Sequence, residues 1–166
     1  NLKFNFNTGI VSQWLGEPGG IVVYNRPAWR NEVSISYGKY YGGVWVSVGL
    51  NDKGIRHPED FGDEVDFFVG IHQSLKFLEI DLSAKYFALN DLRNSGDDAL
   101  VFDGQFDFPS KLVTPYLAVR YWGEVGDKSL ERGWFFRPGI KRSFSVLKKA
   151  SLNLDTSLTF SDGPIG

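Results

Sequence analysis

Apolar and polar side chains alternate in runs of about ten residues along most of this chain. In residues 32–37 and 79–86, for example, every second side chain is apolar and those between are polar or charged. Because successive side chains of a β-strand point to opposite faces, this pattern predicts strands with one apolar and one polar face. Soluble strands are usually about five or six residues long, whereas a strand that crosses a bilayer needs about nine to eleven. The length of the runs therefore favours membrane-spanning strands.

The pattern predicts nine strands and no helix. We expect the strands near residues 2–14, 28–38, 42–50, 63–74, 76–89, 98–109, 112–124, 132–145 and 149–161. Short turns near 38–41, 73–76, 109–111 and 146–148 alternate with longer polar loops at 15–27, 51–62, 90–97 and 125–131. This alternation predicts an all-β fold, an up-and-down antiparallel transmembrane β-barrel whose short turns are periplasmic.

Single-chain bacterial barrels have an even number of strands, and an unpaired strand edge in lipid is costly. We therefore expect residues 1–166 to form one β-barrel domain of about ten or twelve strands that lacks its C-terminal end. Because the chain has no Met and starts at Asn1, we also expect that an N-terminal segment has been removed. Pro115 and Pro138 lie inside predicted strands, where a missing N–H predicts a bulge or kink.

One face of the predicted strands is almost purely apolar. The residues that we expect to face lipid are Val33, Ile35, Val46, Val69, Ile80, Leu82, Phe102, Leu117 and Leu154. A soluble barrel with this face inside, which binds a small apolar ligand as lipocalins do, fits the same alternation and stays open as an alternative. Strand length and the difference between short and long connections favour the membrane barrel.

The opposite face carries charges that form a predicted network in the lumen. Its members are Asp66, Lys85, Asp103, Arg120, Arg137, Lys141 and Asp155. Folding about the predicted turns brings Lys85 near both Asp66 and Asp103. It also places Arg120 diagonal to Asp103 and beside Arg137, and Lys141 close to Asp155. Opposite charges on neighbouring strands stabilise a sheet and offset one another's desolvation. We therefore expect a lumen largely filled by ion pairs rather than a wide pore.

Composition adds mainly exclusions. The chain has no Cys, which rules out disulfides, thiolate metal sites and a cysteine nucleophile. Its net charge of −2 argues against nucleic acid as a partner. His57 and His72 are the only histidines, and no Gly-x-Ser-x-Gly motif occurs. We expect no enzymatic activity, no cofactor and no metal site.

Three segments resemble the TorF-like family of exported porins. They are Thr-Gly-Ile-Val-Ser-Gln-Trp-Leu-Gly at 8–16, Tyr-Tyr-Gly-Gly-Val-Trp-Val-Ser at 40–47 and Asp-Glu-Val-Asp-Phe-Phe-Val-Gly at 63–70. The family usually has an Arg near the end of the first strand, where this chain has Gln13 and Trp14. The resemblance implies a β-barrel of the bacterial outer membrane and assigns no functional residue.

The expected function is that of a porin, or of a structural or partner-binding barrel, in the outer membrane. The expected partner is the lipid bilayer, with other envelope proteins or further copies of the chain as open alternatives.

Overall fold

A computed structural model describes residues 1–12, 14–16, 21–24, 27–50, 64–89, 98–125, 132–147 and 150–162. In this part of the chain there are twelve strands and no helix. The strands are β1 (Leu2–Val11), β2 (Trp14–Gly16), β3 (Ile21–Tyr24), β4 (Ala28–Tyr37), β5 (Tyr40–Gly49), β6 (Glu64–Ser74), β7 (Glu79–Leu89), β8 (Asp98–Asp107), β9 (Thr114–Val125), β10 (Gly133–Leu147), β11 (Ala150–Ser157) and β12 (Phe160–Ser161). Most residues of the four long loops lie outside the described ranges.

Nine long strands form one antiparallel sheet in the order β1-β4-β5-β6-β7-β8-β9-β10-β11. Consecutive long strands are always neighbours, which confirms the predicted all-β, up-and-down architecture. The sheet is not closed: within the described residues, β1 pairs only with β4 and β11 pairs only with β10. Those two strands are its edges.

The first long loop contains a hairpin that the sequence pattern did not predict. The first strand was expected to reach residue 14, but its pairing with β4 ends where Val11 meets Ala28. Trp14–Gly16 instead pairs with Ile21–Tyr24 in a separate two-stranded sheet. The run Ile-Val-Val-Tyr of β3 is β-branched and aromatic, which favours a strand even though it is too short to span a bilayer.

Pro138 divides the ninth predicted strand into two. Its carbonyl accepts a hydrogen bond from the Leu158 N–H, so its own N–H position also faces β11 and cannot donate. The pairing of β11 with β10 stops at Ser157, and β12 resumes it at Phe160. Pro115 faces β8 in the same way, and there it marks the end of the ladder between β8 and β9. Each proline interrupts pairing on one side without shifting the register between β9 and β10.

The two faces of the sheet differ in exposure, and the apolar side chains are on the more exposed face. On the face that carries the apolar residues, here the apolar face, Val69 is 64% exposed and Phe102 is 49% exposed. On the opposite face, the polar face, Ser47, Glu64 and Asp107 are all buried. A flat sheet would expose both faces alike, so the sheet curls around its polar face.

Two tyrosines pack over glycines on the polar face. Tyr41 of β5 is directly opposite Gly70 of β6, and a Cβ added to Gly70 would lie 2.3 Å from the Tyr41 ring. Tyr116 of β9 has the same relation to Gly139 of β10, where the distance would be 2.5 Å. Each ring therefore lies in space that only a glycine leaves open, and each hydroxyl reaches the strand beyond.

We predict that Gly70→Ala destabilises the fold, because the new methyl group must displace the Tyr41 ring. The expected loss in the free energy of unfolding is about 1–3 kcal/mol, the range for overpacking a closely packed site. Gly9→Ala in β1 is the matched control, since an added Cβ there has nothing within 4 Å. Urea unfolding followed by tryptophan fluorescence measures both variants, and equal losses would contradict the packing argument.

Candidate functional site

The centre of the polar face is Asp103 on β8, which binds two cations. Arg120 of β9 lies directly opposite, and its Nε and Nη2 are 2.5 and 3.0 Å from the two Asp103 carboxylate oxygens. Lys85 of β7 reaches the same carboxylate, with its Nζ 2.8 Å from Oδ2. The Asp103 and Arg120 side chains are 20% and 14% exposed, so the pair is largely desolvated. A bidentate arginine in such a setting fixes both strands in one geometry.

The predicted diagonal placement of Arg120 relative to Asp103 is wrong. The register between β8 and β9 pairs the two residues directly. The error came from the turn, which was expected at 109–111, whereas the two strands are joined by the six residues 108–113. Arg137 pairs with Ala118 and so lies diagonal to Arg120, one step closer to the short turns. Arg120 is therefore directed to Asp103 and not to a neighbouring arginine.

A second cluster lies nearer the short-turn end of the polar face. Lys141 of β10 places its Nζ 2.8 Å from Asp107 of β8, and Gln105 donates a hydrogen bond to the same carboxylate. The Tyr116 hydroxyl donates to Asp155 of β11 at 2.7 Å. Lys141 and Asp155 do face each other in register, but the predicted pair is replaced because Lys141 reaches across β9 instead. The hydroxyl of Tyr116, whose ring lies over Gly139, is hydrogen-bonded to the Asp155 carboxylate instead.

The third cluster joins β5, β6 and β7. The Tyr41 hydroxyl donates to Asp81 at 2.5 Å after crossing Gly70 of the strand between them. His72 lies between Asp81 and Ser74, with each nitrogen–oxygen distance equal to 3.4 Å. Both distances exceed the usual range for N–H···O hydrogen bonds, and the His72 side chain is 50% exposed. The histidine is thus a loosely held neighbour of a firmly bound carboxylate.

Asp66 extends the charges toward the long loops. It pairs with Phe87 and lies diagonal to Lys85, which pairs with Phe68. Glu64, the neighbouring residue on the same face, is 3% exposed and interacts electrostatically with Arg30 on β4. The polar face therefore carries charge along the whole length of the sheet.

The predicted lipid-facing residues all lie on the apolar face. Six of them are exposed: Val33, Ile35, Val69, Leu82, Phe102 and Leu154. The other three, Val46, Ile80 and Leu117, are half-buried among their neighbours. Only two charged side chains described on the strands share this face, namely Asp98 at the start of β8 and Arg142 of β10, which is directly opposite Leu154. Asp98 is buried and accepts a hydrogen bond from Tyr86.

An aromatic cluster on the polar face was missed from the sequence. Phe87 and Trp122 meet edge to face, with ring centroids 5.2 Å apart, above the fully buried Ala99 and Val101. Trp45 lies nearby at the same end, with the Arg30 guanidinium 5.5 Å from its ring. The alternation along the strands already places these rings on the polar face, so their face could have been predicted from the sequence. Their proximity depends on the small residues of β8 that leave room for them.

Comparison with known proteins adds no relative, since no family model, curated protein or solved structure matches the chain. No described segment is a helix that is long and apolar enough to cross a membrane. Over the same residues there is no group of three or more His, Asp or Glu side chains that could hold a metal ion.

We predict that Asp103→Asn is strongly destabilising, because it leaves Arg120 and Lys85 without their shared carboxylate. Removing one partner of a largely buried pair costs about 3–5 kcal/mol, and the partial exposure here lowers the expected loss to about 2–3 kcal/mol. The double variant Asp103→Asn with Arg120→Gln should lose clearly less than the sum of the two single variants. Additive losses in urea unfolding would show that the two side chains are not coupled.

Proposed function

We propose that this chain is a β-barrel protein of the bacterial outer membrane, with its apolar face in lipid and its polar face lining the interior. The observation that carries this proposal is the inversion of exposure between the two faces. Large apolar side chains are exposed on every long strand of the sheet except β9, where they are half-buried, while carboxylates and a serine are buried on the other side.

Water is a poor solvent for such a surface. Burying a large apolar side chain contributes about 1.5–3 kcal/mol of favourable free energy, and a side chain left in water lacks this contribution. Soluble proteins rarely expose an apolar patch of more than a few hundred Å², and here the patch continues across nine strands. A lipid environment removes this cost, which is why it is the better match.

Strand length supports the same proposal. The strands from β4 to β8 have 10 or 11 residues, and β9 has 12. Ten residues extend about 33 Å, and a tilt of about 40° reduces this to a height of about 25 Å, close to the apolar band of an outer-membrane barrel. Shorter strands would suffice for a soluble sheet.

Aromatic side chains at both ends of the apolar face are also consistent with a bilayer. Tyr37 and Tyr40 are exposed beside the first short turn. At the long-loop end, Trp29 and Trp134 are exposed, and the Trp134 ring packs 4.9 Å from Tyr121. Amphipathic rings prefer the boundary between the hydrocarbon and the headgroups.

The interior supports a structural or partner-binding barrel, or a porin of restricted width. Four of its carboxylates, those of Asp81, Asp103, Asp107 and Asp155, are bound by Arg120, Lys85, Lys141 and two tyrosines. The alternative of a soluble, lipocalin-like barrel is disfavoured, because such a protein would present its apolar face to the enclosed cavity.

We predict that Val69→Arg destabilises the protein in lipid bilayers. Val69 is at the middle of β6, where a lipid-facing arginine costs about 2–4 kcal/mol. Val48→Arg, near the end of β5, is the matched control and should cost about 0–1 kcal/mol because it lies near the interface. Unfolding by urea from lipid vesicles measures both. If Val69→Arg is as mild as its control, the apolar face is in water and the proposal fails.

We also predict a low conductance in planar bilayers, because ion pairs fill the interior. The wild-type protein should give no channels of nanosiemens size, and the Asp103→Asn variant should raise the leak if it remains inserted. Large, regular openings of the wild type would contradict an interior filled by ion pairs while leaving the membrane assignment intact.

A further inference from the structure

The short turns carry only positive charge. In the sequence, the four short connections between long strands contain five lysines and no acidic residue. Lys39, Lys76 and Lys111 lie in the described turns, and all three are exposed. Lys148 and Lys149 of the fourth connection lie outside the described residues. The nearest described carboxylates, Glu79 and Asp107, are on the polar face, and Asp107 is bound by Lys141.

The long connections have the opposite balance. Outside the strands, they hold nine acidic and six basic residues. The connections at the two ends of the sheet therefore carry net charges of opposite sign, although the chain as a whole has a net charge of only −2. A charge distribution of this kind gives the molecule a direction along its strands.

Exposed apolar side chains accompany each described lysine. Tyr40 follows Lys39, and the Lys39 ammonium lies 5.5 Å from the centre of its ring. Phe77 follows Lys76 and is 70% exposed, and Leu112 follows Lys111 and is 72% exposed. Each of the three described short turns thus presents a cation beside a group that prefers hydrocarbon. Water alone would favour the lysines but not their neighbours.

We propose that this short-turn rim, formed by Lys39, Tyr40, Lys76, Phe77, Lys111 and Leu112, binds the headgroups of anionic phospholipids. The apolar side chains would enter the edge of the acyl region, and the ammonium groups would meet the phosphates above it. The inference rests on the proposed membrane function and deepens it, because it names the lipid class and the end of the barrel that contacts it. Charge complementarity selects anionic over zwitterionic lipid.

The test measures binding of the chain to two kinds of vesicle, one of phosphatidylcholine alone and one that also contains phosphatidylglycerol. The chain is diluted from urea at low ionic strength, and co-sedimentation gives an apparent association constant for each vesicle. The turn variant carries Lys39→Gln, Lys76→Gln and Lys111→Gln. The control variant carries Lys53→Gln, Arg93→Gln and Lys128→Gln in the long loops, so its net charge changes by the same amount.

A lysine near an anionic surface strengthens binding by about five-fold, so three together contribute on the order of 100-fold at low salt. We expect the wild type and the control variant to prefer the vesicles with phosphatidylglycerol. The turn variant should lose most of that preference while still binding phosphatidylcholine. Added salt should reduce the preference of the wild type through screening.

Three results would overturn the inference alone: equal binding of the wild type to both vesicles, an unchanged preference in the turn variant, or an equal loss in the control. If the wild type binds neither vesicle, the proposed membrane function itself fails. These outcomes separate the two proposals.

Discussion

The whole structure depends on one constraint, the register of nine neighbouring strands. Side chains alternate between faces with a period of two, so a slip of one residue in any strand would move its charges to the apolar face. The long strands keep the alternation in phase with their neighbours from β1 to β11, apart from a register shift between Ser145 and Leu147 at the end of β10. The burial of the carboxylates and the exposure of the apolar residues both follow from this shared phase.

The polar face supplies the contacts that hold this register. Asp103 binds Arg120 on one neighbouring strand and Lys85 on the other, so three strands are fixed about a single carboxylate. Lys141 and the two tyrosines each cross an intervening strand to reach their partners. Contacts between next-nearest strands define the curl of the sheet as well as its register.

Much of the fold could be predicted from the sequence because the period of two is a strong signal over ten residues. The alternation predicted the strands within a few residues. Residues that it placed on one face of the sheet also share a face in the observed register. It did not predict β2 and β3, because four β-branched and aromatic residues inside a polar loop are a weak signal. Nor could it anticipate the split at Pro138, which depends on which side of β10 its missing N–H faces.

The partners within the polar network were harder to predict than its members. Lys141 has a carboxylate directly opposite and binds another one two strands away, because a tyrosine hydroxyl takes the first. Such choices depend on side-chain reach and on competition for one acceptor, which no pairing rule contains. The aromatic cluster of Phe87 and Trp122 depends in the same way on the small residues beneath it.

The tyrosines that cross Gly70 and Gly139 have one more consequence. In an ordinary sheet, each strand is attached only to its two neighbours, and an edge can separate one strand at a time. A ring that is seated on one strand and hydrogen-bonded to the next couples three strands into a unit. The sheet then consists of units of three coupled strands more than of independent pairs. The absence of a side chain at Gly70 and Gly139 is what allows the rings to couple these strands.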